Sequence, residues 1–320
     1  MLNVTDFRGM WAITPTPSTE GADRWDAEDT VDLDELARVT DALIRAGSHG
    51  LLVFGTTGEC ATCTPQEWRA ASACVAETNN GRVPLLIGTT ALGTHEIVQR
   101  MRFIKDLRAD GSMLGLPMWQ PCTLPMAVQF YADMSEAFPD LAILVYANPN
   151  AFRFGFPPPF WAQVVERAPT VIAAKTGGEL MINTLTQITN NKVRFLPHVA
   201  NAYAQARINA DQACFWATEA AMGPAPALAL HNAMATDDWV TAARISGEIN
   251  WSLETFFPPG GIQEFASYNI QLEKIRFDAA GYCKAGPIRP PYHVIPDGYR
   301  ERAAECGRRW AQLQQKYAAA

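Results

Sequence analysis

The run Val171-Ile172-Ala173-Ala174 ends on Lys175, and Thr176, Gly177 and Gly178 follow. Four apolar residues leading into one ammonium read as a short buried strand that stops on a lysine and then turns. An ammonium at the edge of an apolar interior is costly to keep charged, so its pKa is expected to fall. A lysine that gives up its proton attacks carbonyls and can form a Schiff base. Alone, the stretch fits better a strand-end lysine whose stem packs and whose head reaches water. Its company elsewhere in the chain changes that balance.

Other apolar runs also end in residues that can do chemistry. One gives Gly55-Thr56-Thr57-Gly58-Glu59, whose glycines and hydroxyls can present N–H and O–H donors to an anion. Without its context this is more often a tight turn between strand and helix. Another ends Gly88-Thr89-Thr90, a small polar turn, and the next ends Pro117-Met118-Trp119, an aromatic at the mouth. A fifth ends Tyr146-Ala147-Asn148-Pro149. If the Tyr146 and Lys175 strands are neighbours, a phenol lies beside an amine and can shuttle the protons that imine formation requires. The plainer meanings are a barrel-filling tyrosine, a rim tryptophan and an asparagine that shapes the turn before Pro149.

These residues need elements to position them. Apolar, strand-like segments recur at 9–14, 50–54, 84–88, 111–116, 141–146, 171–175, 193–197 and 213–217. Most are separated by helical patterns, such as Leu33, Leu36, Leu43 and Ile44 ahead of Gly47, and a helix start at Thr64-Pro65-Gln66-Glu67. Alternating strand and helix predicts a parallel sheet buried on both faces. Eight units in about 220 residues fit a closed (β/α)8 barrel better than an open sheet. The expected division is a barrel over 1–234 and a C-terminal helical extension over 235–320. The extension reads as helices around 239–256, 265–279 and 298–317, with proline-rich 284–291 as an extended link.

Composition narrows the function. The 320 residues are 48% hydrophobic and carry a formal charge of −7. That speaks against nucleic acid or an anionic membrane as partner. No leader or membrane-spanning run is read in the sequence. Seven scattered cysteines suit reduced thiols in a cytoplasm. The pair Cys60 and Cys63 lacks nearby companions for a metal site, and the five histidines form no ligand motif. No metal or organic cofactor is expected.

Taken together, the motifs resemble the dihydrodipicolinate synthase/N-acetylneuraminate lyase family of pyruvate-handling class I aldolases. The resemblance rests on Gly55–Glu59, Tyr146 with Asn148-Pro149, Lys175, and Gly286 with Arg289-Pro290-Pro291. It implies a Schiff base on Lys175, Tyr146 as proton carrier, and a pyruvoyl carboxylate held by Thr56 and Thr57. Trp119 stands where many members carry a second tyrosine, and Ala151 where they carry an arginine; Arg153 is displaced. Within the family, Trp11–Ser18, Gly115–Trp119, Ala127–Tyr131 and Tyr268-Asn269-Ile270 with Leu272-Glu273-Lys274 are similar to the benzylidenepyruvate hydratase-aldolases of polycyclic aromatic breakdown. That group implies Trp119 stacked on an aromatic ring, and Asn148 and Asn269 as polar contacts for substrate or attacking water. For Asn269, helix capping is an equal reading.

The expected reaction is hydration and retro-aldol cleavage of a trans-benzylidenepyruvate, bearing a 2′-hydroxy or 2′-carboxy group. The products are salicylaldehyde or 2-carboxybenzaldehyde, with pyruvate. The resemblance also implies a homotetramer. Two other readings stand: a family aldolase for a sugar acid or a dihydrodipicolinate-type substrate, and a non-catalytic sensor of 2-oxo acids.

Overall fold

The computed structural model describes residues 1–176, 181–209 and 214–319. Eight strands follow one another: β1 (Gly9–Ile13), β2 (Gly50–Val53), β3 (Leu85–Gly88), β4 (Gly111–Leu114), β5 (Ala142–Ala147), β6 (Val171–Thr176), β7 (Arg194–Leu196) and β8 (Cys214–Ala217). They form one parallel sheet in the order β7-β6-β5-β4-β3-β2-β1-β8. The remaining seam, between β7 and β8, is drawn together by the Trp216 N–H, which donates to the Pro197 carbonyl at 3.0 Å. An isolated parallel bridge between His198 and Trp216 sits beside it. The sheet thereby approaches a closed (β/α)8 barrel. Of the sequence segments read above, Gly177, Gly178 and Ala213 lie outside the described residues.

Each strand is short and apolar because both its faces are covered, the inner by the barrel core and the outer by helices. Leu51 and Leu52, neighbours pointing to opposite faces, are both fully buried. Helix starts follow local chemistry. Thr64 accepts the Glu67 N–H, Glu67 returns the favour to the Thr64 N–H at 2.7 Å, and Pro65 opens the helix Pro65–Asn79. Gly47 follows the helix Leu33–Arg45 at φ +101°, where a side chain would be strained.

The C-terminal part contains the helices Ala225–Ala235, Trp239–Leu253, Gly261–Ala280 and Asp297–Ala318. The expected boundary at 234/235 falls within the last turn of the first. The third begins four residues before its expected start. Its opening N–H, on Gly260, is taken by the Glu264 carboxylate at 2.8 Å, a device with no Ser or Thr cap to mark it. Trp310 ties the last helix to the barrel side by donating to the Gly223 carbonyl at 2.8 Å. Ion pairs run from helix Gly261–Ala280 to Glu59 after β2 and to Glu219 after β8. That helix therefore lies across the carboxyl ends of the strands.

Candidate active site

Lys175 and Tyr146 are direct partners in the parallel register of β6 and β5. The four residues before Lys175 are buried and Lys175 itself is half-buried, so its head emerges at the barrel's open end. Its Nζ lies 4.8 Å from the centre of the Tyr146 ring and 3.5 Å from that of Trp216. Two aromatic faces thus fix the amine, and either face attracts a cation on that nitrogen.

The Tyr146 hydroxyl lies 2.7 Å from Thr56 Oγ1 and accepts a hydrogen bond from Asn148 Nδ2 at 3.1 Å. Burial pushes the phenol up, against the pull of those two hydrogen bonds. It therefore keeps its proton at neutral pH and can pass it on. Asn148 does two things: its Oδ1 accepts the N–H groups of Asn150 and Ala151, capping the short helix Pro149–Phe152, while its amide holds Tyr146. Asn148 thus shapes the turn before Pro149 and lines the cavity beside Tyr146.

Thr56 and Thr57 lie on a turn held from several sides. Phe54 and Glu59, at its ends, adopt left-handed φ of +57° and +54°. Such backbone is uncommon outside glycine and persists where the surroundings dictate it. A β-carbon on Gly58 would come within 2.8 Å of the Phe54 nitrogen, so the turn requires glycine there. Thr16 donates to the Gly58 carbonyl at 2.7 Å. Glu59 is buried and accepts from Lys274 Nζ at 3.0 Å and Arg289 Nη1 at 2.6 Å. Burial lowers the Lys274 ammonium, and Glu59 opposes that. The C-terminal extension thus braces the hydroxyl-bearing turn.

A cavity of about 1400 Å³ brings Thr56, Thr57, Tyr146, Asn148, Lys175 and Asn269 together. Asn269 lies in the middle of helix Gly261–Ala280, so it caps nothing, and its Oδ1 is buried with no hydrogen-bond partner among the described residues. Trp119 stands at the rim. It is 79% exposed and is not among the described residues lining the cavity, although Met118 beside it is. The reason is distance along the chain: β4 ends at Leu114, and Trp119 rides on the loop beyond. Arg153 also faces solvent, and its Nη2 donates to the carbonyls of Met118 and Trp119 at 2.7 and 2.6 Å. Its engagement is with the rim loop.

Among the lining residues to which sequence reasoning assigned no role are Trp216, His198, Glu219, Glu273 and Arg276. Trp216 belongs to β8 and stands against both Lys175 and the His198 ring, 4.4 Å away. The strand-end rule applied to Trp119 could have found it. His198 Nε2 lies 3.0 Å from Glu219, which pairs with Arg276 at 2.9 Å; Arg276 pairs with Glu273 at 2.6 Å. Burial opposes ionisation of Glu219, but the His198 imidazole and the Arg276 guanidinium outweigh it and hold the carboxyl well below its usual range. Burial pushes Glu273 up to about 7 against the pull of Arg276, with Glu219 adding to the rise. Glu273 and Arg276 are an i,i+3 pair on one helix, but no sequence spacing joins them to Glu219 or His198. Elsewhere, burial raises the Cys60 and Cys63 thiols to about 11 and about 12, which leaves them poor nucleophiles at neutral pH. Among the described residues no group of three His, Cys, Asp or Glu side chains could hold a metal ion, and no helix is long and apolar enough to cross a membrane.

Comparison with known proteins identifies the family. Residues 22–196 match the model of the dihydrodipicolinate synthetase family. The trans-O-hydroxybenzylidenepyruvate hydratase-aldolase of Pseudomonas putida is 47% identical over 99% of this chain and 96% of its own. The trans-2′-carboxybenzalpyruvate hydratase-aldolase of Nocardioides sp. (strain KP7) is 35% identical over 98% of this chain and 96% of its own. A solved structure, PhdJ bound to substrate intermediate, superposes with a TM-score of 0.95 at 36% identity over 99% of both chains. The chain belongs to the dihydrodipicolinate synthetase family.

Proposed function

We propose that the chain is a Schiff-base hydratase-aldolase, a carbon–carbon lyase that converts a trans-benzylidenepyruvate and water to an aromatic aldehyde and pyruvate. The observation that carries this reading is the placement of Lys175. Its amine stands beside a proton-bearing phenol, and that phenol is bonded to the hydroxyl of the turn suited to a carboxylate. Lys175 attacks the 2-oxo carbon, and Tyr146 moves the protons that turn the carbinolamine into an iminium. Thr56 and Thr57 hold the carboxylate. The iminium draws electrons through the conjugated double bond, so water adds at the carbon next to the ring. Retro-aldol cleavage then releases the aldehyde and leaves pyruvate as an enamine on Lys175, freed by protonation and hydrolysis. The faces of Tyr146 and Trp216 favour the cationic iminium as they favour an ammonium. Asn148 and Asn269 serve as polar contacts, and Trp119 reaches the ring from the rim loop when its indole turns inward.

Of the two ring substituents we favour 2′-hydroxy, giving salicylaldehyde. Identity is higher to the relative named for that substrate, and Arg153 is occupied by backbone carbonyls where a second carboxylate would need a cation. The family resemblance also supports a homotetramer working in the cytoplasm; sedimentation measures the first. The chemistry is tested by borohydride reduction in the presence of pyruvate followed by intact mass. A pyruvate adduct is expected on the native chain and none on Lys175→Ala. Absence of the adduct on the native chain overturns the reading. Loss of the aryl enone chromophore then distinguishes this activity from cleavage of a sugar acid.

A further inference from the structure

Water addition needs a group that takes a proton from water at the carbon beside the ring. Tyr146 is held at the imine end, between Thr56 and Asn148. Helix Gly261–Ala280 presents two other candidates to the same cavity, Asn269 and Glu273. They are four residues apart, so they share a face with their β-carbons about 5–6 Å apart. The Asn269 amide makes no side-chain hydrogen bond among the described residues, and its Oδ1 is buried. Glu273 is 4% exposed. Its Oε2 accepts from Arg276 Nε at 2.7 Å and Nη2 at 2.6 Å, while its Oε1 accepts nothing among the described residues. A buried oxygen such as Asn269 Oδ1 normally has a partner, and a roomy polar cavity lets water be that partner.

We propose that Glu273 is the general base for the hydration step, with Asn269 orienting the same water. This rests on the Schiff-base reading above. The water oxygen bonds to the carbon next to the ring as the electron pair of the double bond moves toward the iminium, giving an enamine. The departing water proton goes to Glu273 Oε1. The carboxyl then returns it to the adjacent carbon, restoring the iminium, so one water has been added and Glu273 ends as a carboxylate. Four groups face this carboxyl: Arg276 from its own helix, Glu219 from the segment after β8, His198 at the head of helix Val199–Ile208, and Cys306 from the last helix. Burial lifts Glu273 to about 7 and Arg276 draws it down. A carboxyl balanced near neutrality both takes and returns a proton efficiently.

The two halves of the reaction separate in reverse. Aldol addition of pyruvate to an aromatic aldehyde gives the 4-hydroxy-2-oxo acid, and its dehydration gives the enone. In Glu273→Gln, dehydration and hydration are expected to fall about 10²–10⁴-fold, the usual worth of a general base. Aldol addition and borohydride trapping of pyruvate change far less. Equal loss in both halves, or loss in neither, overturns the proposal. A second measurement needs no variant. In the native protein, dehydration of the hydroxy acid should depend on a group titrating near 7 that the aldol half lacks; a shared limb, or none, sinks the assignment. A native chain that traps no pyruvate fails the Schiff-base reading itself, so the two failures are distinguishable.

Discussion

Tyr146 keeps its proton because it is buried, and it is useful because Thr56 and Asn148 hold its hydroxyl in one place. Removing the hydroxyl with Tyr146→Phe leaves the ring against Lys175 and should lower kcat about 10²–10⁴-fold. Steady-state assays on the enone chromophore measure this, and an unchanged kcat would remove Tyr146 from proton transfer. Arg153 calls for a different outcome. It secures the loop of Met118 and Trp119, so Arg153→Ala should raise KM for hydroxylated and carboxylated substrates alike, about 2–10-fold for a hydrogen bond worth ~0.5–1.5 kcal/mol. A rise for the carboxylated substrate alone would assign Arg153 to the ring. At this scale the sequence was readable where an apolar strand ended in a reactive side chain, as at Lys175 and Tyr146. It was unreadable where the neighbours came from distant segments. His198, Glu219, Glu273 and Arg276 each look like a solvated charge until the fold brings them together.

The turn after β2 shows what one element needs from another. Its glycines and left-handed backbone are local, and the sequence marks them. The brace is not local: Lys274 and Arg289 reach Glu59 across 215 and 230 residues. The string Leu272-Glu273-Lys274 was visible as a resemblance, but only contact with Glu59 gives Lys274 a task. Lys274→Met leaves Glu59 with one cation in a buried setting. Removing one partner of a buried pair costs about 3–5 kcal/mol, and the remaining Arg289 should keep the loss near the lower end. Urea unfolding reads the stability. The turn's loosening should appear as a higher pyruvate concentration needed for half-maximal borohydride trapping, because Thr56 and Thr57 are no longer held. Trapping unchanged alongside lost stability would make the brace purely structural.

For the whole molecule, pH acts at both ends of the barrel. At the amino ends of the strands, His49 and His231 meet with ring centres 4.4 Å apart. Burial pushes His231 down to about 4, with His49 adding to the effect, and His49 is also lowered. The folded state therefore prefers both rings neutral. Their contribution to stability is complete above the ordinary value of 6.5, falls as pH drops toward 4, and levels off below. Glu273 works in the opposite direction. Its raised pKa gives a contribution complete below the ordinary 4.5 and lost as pH rises through about 7. Urea midpoints across pH 4 to 8 should thus decline on both sides, and His231→Gln should flatten the acid side. An acid limb untouched by that change would place its origin elsewhere.

The long-range clasp on Glu59 also sets an order of events during synthesis. A ribosome that has made all eight strands has still not made residues 274 and 289. Until those two cations emerge, an acidic side chain destined for the interior has nothing to neutralise it, and the turn that bears Thr56 and Thr57 lacks its brace. The emerging chain should therefore remain inert toward 2-oxo acids until residues 274 and 289 appear, and a chain stopped before residue 274 should leave a barrel unable to grip them.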